Sequence, residues 1–225
     1  MTINAIKARP LPNYTKTEEI LNSASHIAGA FFGIFVLVSC ILSSKNAAAL
    51  TGSIIYGISM ILLYSVSGIY HGISKKYVLA KQLLRNADHC TIYVLIAGTY
   101  SPVLLGAMYP ILPQRAIAIL IGVWAAAVIG MILTAVDLER FLKLSVICYV
   151  ALGWFSVFII KPVMPIIKIE GLLLLAGGGV SYTIGALLYA LGKKTNLRYM
   201  HFVFHLFVIL GTLLHYLCVI NYCLS

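Results

Sequence analysis

From Ala24 onward the chain alternates between apolar runs and short polar joints. The runs cover Ala24–Ser43, Ala47–His71, Asp88–Tyr109, Arg115–Val136, Phe141–Ile160, Gly171–Leu191 and Leu197–Tyr222. Each approaches the ~20 residues with which a helix crosses ~30 Å of hydrocarbon. The pattern therefore predicts an all-α integral membrane protein of seven transmembrane helices. Residues 1–23 are polar, with Pro10, Pro12 and the pair Glu18–Glu19, and read as a tail entering a short interfacial turn. Residues 24–225 form a single membrane domain with no room for a soluble one and no repeat between its halves. Ser74–Ala87 is basic and amphipathic, the pattern of a helix lying along the membrane surface. Pro102 interrupts the third run, and Lys161–Pro162 closes the fifth.

Composition sharpens this picture. With 61% hydrophobic and 10% charged residues, a soluble domain is excluded. The net charge of +10 would raise the question of nucleic acid in a soluble protein. Here the basic residues sit in the joints, where they act as topology determinants, so no nucleic-acid partner is expected. Of the 16 Lys and Arg residues, only Lys45, Arg115, Lys161 and Lys168 fall on the side opposite the N-terminus. That bias predicts a cytoplasmic N-terminus and an outward C-terminus, in the plasma (inner) membrane. The first 24 residues lack the apolar core of a signal peptide, so the N-terminus is expected to stay on the protein. The five cysteines form no CxxC pair and mostly lie in apolar runs, where they behave as small hydrophobes.

The candidate chemistry centres on Tyr199–Tyr216, where His201 and His205 are four residues apart. On a helix they share a face, one turn apart, which is a standard way to present two metal ligands. His71 ends the second run and Asp88 opens the third, so both are expected at the same cytoplasmic depth. Ser67 precedes His71 by four residues, on the same face and one turn deeper. Ionisable groups at such depth are expensive, and by default they mark function. Three imidazoles with an open fourth position suit a catalytic zinc ion, which would lower the pKa of its water towards ~7. Asp88 is placed to handle the proton and Ser67 to bind the developing oxyanion. The expected partner is a membrane lipid entering sideways from the bilayer. The bland alternative is interhelical hydrogen bonding, worth ~0.6 to 2 kcal/mol per histidine. His26 and His89 are rival ligands; His89 is rotated by ~100° from Asp88, so the two are not expected to face one centre. His215 lies ~21 Å beyond His201 and is expected outside the site, near the outer face. Gly177–Gly179 reads as helix packing rather than a nucleotide loop, Trp124 and Trp154 as packing, and Asp137–Glu139–Arg140 as a solvated loop.

Glu19-x-x-Asn22-x-x-x-His26, Ser67-x-x-x-His71 and Asp88-His89 running into Ile96-Ala97-Gly98-Thr99-Tyr100-Ser101-Pro102 form an ordered set of motifs. Ser181-Tyr182-Thr183-x-Gly185 and His201-x-x-x-His205-Leu206-Phe207-Val208 with Gly211 complete it. Together they resemble the bacterial hemolysin III family, within the progestin and adipoQ receptor superfamily and related to the alkaline ceramidases. The resemblance covers nearly the whole chain. It implies seven transmembrane helices and a zinc ion near the cytoplasmic face, held by His71, His201 and His205, with Asp88 and Ser67 in support. Ser101 stands where the family commonly has Thr. The expected activity is zinc-dependent hydrolysis of a ceramide-like lipid amide or ester. The alternatives are a membrane-permeabilising cytolysin and a receptor-like sensor with structural zinc.

Overall fold

The computed structural model describes residues 6–224. Among these residues every regular element is helical, and six helical runs are long and apolar enough to cross a membrane. The exposure pattern suits lipid rather than water: Phe31, Leu42 and Phe158 are 69%, 81% and 80% exposed on the outer surface.

The first helix, α1 (Lys16–Ser43), begins well before the first apolar run because Thr15 and Glu18 close a reciprocal capping box. Its buried stripe of Asn22, His26, Gly29, Gly33, Val36 and Cys40 recurs every three or four residues, as one helical face requires. Asn46 caps α2 (Ala47–Gly72) by accepting from the Ala49 N–H. α2 packs closely on both α1 and the third helix. At Gly52 a Cβ would sit 2.8 Å from the Ser101 carbonyl, so only glycine permits this approach of the two backbones.

The third helix, α3 (Val78–Pro102), departs from the expected pair of a surface helix and a separate span. Residues 78–87 are continuous with the span, and Lys81, Gln82 and Arg85 are buried. The charged face that suggested a membrane-surface helix instead meets acceptors inside the protein. Pro102 does not end the helix. Lacking an N–H, it shifts the register into a π-helical turn, Val103–Met108, and the chain continues.

α4 (Pro113–Val136) starts with Pro at its first position, and α5 (Leu138–Trp154) is capped by Asp137. A 3-10 turn, Phe155–Ile159, leads into α6 (Ile160–Thr195). This last run is interrupted at Lys168, whose φ of 55° and ψ of 175° are not helical. α7 (Met200–Cys218) continues as a π-helical turn, Val219–Cys223. It packs along α6 and crosses α1. α5 touches its neighbours sparingly. A cavity of about 220 Å³ lies between α2, α3, α5, α6 and α7, with His26 of α1 also on its wall.

Candidate metal centre

The three histidines come from opposite ends of the chain and are held by α1. Glu18 caps its own helix and also accepts, through Oε1, the backbone N–H of Tyr199 at 2.8 Å. Tyr199 sits in the left-handed region, φ 64°, immediately before α7. That conformation is rare for a bulky residue, and the Glu18 carboxylate fixes the point from which His201 and His205 project.

His71, in the last turn of α2, and His201 and His205 in the first turns of α7 form the cluster. One ring nitrogen from each lies within 4.8 Å of the others. His201 Nε2 is 3.1 Å from His71 Nε2 and 3.0 Å from His205 Nε2. Two nitrogens bound to one tetrahedral ion at ~2.0–2.1 Å would be roughly 3.3 Å apart, so the cluster has nearly that spacing.

The partners of the other ring nitrogens fix the tautomers. His71 Nδ1–H donates to Glu19 Oε2 at 2.7 Å, since a carboxylate can only accept. Ser25 Oγ donates to the Asn22 carbonyl, so it accepts from His205 Nδ1–H at 3.2 Å. In their neutral forms, His71 and His205 therefore both direct Nε2 lone pairs at His201 Nε2. One imidazole cannot give two neighbours a full hydrogen bond from a single ring nitrogen, whereas a cation accepts all the lone pairs. Carboxylate and hydroxyl support of this kind is the usual outer shell of metal-binding histidines. The donor set thus fits a metal ion.

Glu19 is itself held. Lys81 Nζ lies 2.9 Å from Glu19 Oε1 and donates to the carbonyls of Tyr70 and Ile73 at the C-terminal end of α2. Its buried charge is met by one carboxylate and by the negative end of a helix. Aromatic rings enclose the cluster. Tyr14 stacks on His201 at 5.1 Å and lies 5.8 Å from His71, while Tyr189 meets His201 edge-on at 5.5 Å. Burial holds the Tyr14 phenol well above its ordinary range, so it stays protonated.

Ser67 and Asp88 line the cavity that reaches His201 and His205, and the Ser67 hydroxyl is buried without a partner. Asp88 makes no side-chain ion pair among the described residues. His89 lines the same cavity. The cavity is broad enough to take both, and His89 Nδ1–H is bonded to the Arg85 carbonyl. His26 stacks on His205 with ring centres 3.5 Å apart, and both its nitrogens are buried without partners. It is a neighbour of the cluster and is not one of the three converging nitrogens. His215 lines the far part of the cavity. Asp137 and Glu139 are not simply solvated: they pair with Arg9 and Arg85.

Glu19, Ser25, Lys81 and Tyr14 received no role from spacing alone. A signal for the first was present, because Glu19, Asn22 and His26 place polar groups along one side of an apolar helix.

The chain is similar along nearly its whole length to named proteins. A family model described as "Haemolysin-III related" matches residues 14–216. Hemolysin-3 of Bacillus cereus is 37% identical over 210 residues, covering 92% of each chain. The Hemolysin-3 homolog of Bacillus subtilis (strain 168) is 34% identical over 215 residues, covering 94% of this chain and 97% of that one.

Proposed function

This chain belongs to the haemolysin-III-related family, and from that membership and the histidine cluster we propose that it is a zinc-dependent hydrolase of membrane lipid amides or esters. In this reading it crosses the plasma membrane seven times, with the N-terminus in the cytoplasm and the C-terminus outside.

One observation carries the proposal. Two imidazole lone pairs, fixed by Glu19 and Ser25, meet a third histidine at the head of a long apolar cavity. His71, His201 and His205 would hold the ion. Zinc, when bound, would supply a Lewis acid and a water acidified towards neutrality. Asp88, on the cavity wall, would take the proton of that water and return it to the leaving group. The unpartnered Ser67 hydroxyl would donate to the carbonyl oxygen as charge develops there. The apolar wall would hold the acyl chain and exclude bulk water. Trp154 and Val157 belong to both the cavity wall and the outer surface, so a lipid would enter beside α5.

The name of the Bacillus relatives points to a second reading, permeabilisation of target membranes. The apolar outer surface speaks against a form released into water.

Metal analysis of detergent-purified protein tests the proposal. Wild type should carry about one zinc per chain, and His201→Ala/His205→Ala should carry none. Zinc-loaded wild type should then release fatty acid from long-chain amides or esters, and Asp88→Asn should bind zinc without doing so. A folded wild type that takes up no metal would sink the hydrolase.

A further inference from the structure

The cavity reaches the outer surface along one seam. Of the residues that line it, those that are also exposed outside are Gly153, Trp154, Val157 and Ala176. All of them flank the gap between α5 and α6, the first three on the α5 side and Ala176 on α6.

α5 is tied unevenly to its neighbours. Towards α3, the Tyr149 hydroxyl donates to the His89 carbonyl at 2.8 Å, and the Tyr100 hydroxyl meets the Leu152 and Gly153 carbonyls at 2.8 and 3.0 Å. Towards α4, the hydroxyls of Thr134 and Ser145 are 2.9 Å apart. Towards α6, a single side-chain hydrogen bond crosses the seam among the described residues: Trp154 Nε1–H donates to Thr183 Oγ1 at 2.9 Å. Thr183 Oγ1 donates its own proton to the Gly179 carbonyl at 2.8 Å, so towards Trp154 it can only accept.

Packing adds little to this bond. A Cβ at Gly153 would meet nothing within 4 Å, and one at Gly179 would lie 3.8 Å from the indole, an ordinary contact rather than an interlocked one. Trp154 is the last residue of α5, and the 3-10 turn Phe155–Ile159 follows it, so the ring can swing without unwinding a helix. In hydrocarbon no water replaces a lost partner, and an indole N–H released from Thr183 is left unbonded. The bond therefore holds the seam shut, and α5 would part from α6 rather than from α3 or α4.

We propose that the Trp154–Thr183 hydrogen bond is the latch of a lateral gate, which acyl lipids open to pass between the bilayer and the cavity. This rests on the cavity being the lipid site of the proposed hydrolase, but it depends on neither turnover nor metal. The latch controls rates of exchange and leaves affinity unchanged, because the bond closes again behind a lipid that has entered.

The test is the binding and release of tritiated palmitic acid by detergent-purified, full-length protein, with release followed after a chase of unlabelled acid. Thr183→Val, nearly isosteric but without the acceptor, should speed both association and release about two- to tenfold at an unchanged dissociation constant. Trp154→Phe, which keeps a ring and removes the donor, should do the same, and the double variant should be no faster than either single one. Thr183→Ser, which restores the hydroxyl, should exchange at the wild-type rate. An unchanged dissociation constant also reports a folded protein; should Trp154→Phe not fold, the Val and Ser variants of Thr183 decide the matter alone. Wild-type exchange rates in Thr183→Val, a change confined to affinity, or accelerations that add in the double variant would overturn the latch and leave the lipid cavity standing. A folded wild type that binds no palmitic acid would overturn both.

Discussion

Glu19 decides how His71 presents itself, although it would never touch the metal. Its carboxylate accepts from Nδ1 and leaves Nε2 free to ligate, while Lys81 neutralises the carboxylate without competing for the ring. In Glu19→Gln the amide can donate or accept, so the tautomer is no longer imposed, and Lys81 is left buried without its counter-ion. Zinc affinity, measured by competition with a chromogenic chelator, should fall about 10–100-fold. Unchanged affinity would reduce Glu19 to a packing role. The convergence of the three histidines was legible in the sequence because helical periodicity and the depth of each run place them together. Glu19 was not legible in the same way. It reaches the site from another helix, and beside Glu18 it looked like part of a polar tail. A rotation of ~100° separates their tasks, one capping α1 and the other holding His71.

The same distinction governs the element before α1. Proline and charge mark this stretch as a tail, yet several contacts strap it beneath the helices. Arg9 pairs with Asp137 at 2.7 Å, Gln82 donates to the Arg9 carbonyl, and Lys75 donates to the Tyr14 carbonyl. The partners come from two distant joints, so no local pattern announces them, and the basic face of residues 78–87 meets buried acceptors for the same reason. The strap sets Tyr14 over His71 and His201. Tyr14→Ala should therefore open the cluster to water. Loss of zinc to excess chelator should be roughly two- to tenfold faster, the equivalent of ~0.5–1.5 kcal/mol of ring contact. Tyr14→Phe, which keeps the ring, should lose zinc at the wild-type rate. Equal rates in all three proteins would mean that the strap does not cover the metal.

At the scale of the whole molecule, the number of crossings depends on one residue. The helical run from Leu138 to Thr195 is 58 residues long, and as one straight helix it would measure ~87 Å against ~30 Å of hydrocarbon. It cannot be a single crossing, and the non-helical backbone at Lys168 falls in the joint between Ile160 and Gly171, where the apolar pattern breaks. One crossing on each side of Lys168 would bring the total to the proposed seven and would put the two ends of the bundle on opposite faces. The Lys and Arg bias would then orient the bundle with the N-terminus inside, as proposed. On this topology the histidine cluster opens beneath the cytoplasmic strap, and His215 lies deeper in the bilayer. Alkaline phosphatase, which is active only outside the cytoplasm, should work when fused after residue 224 and fail when fused after Asn196. Green fluorescent protein at the same two points should give the opposite pattern. Activity of both phosphatase fusions, or of neither, would mean that α7 does not cross the membrane, and an inverted pattern would turn the metal centre towards the outside.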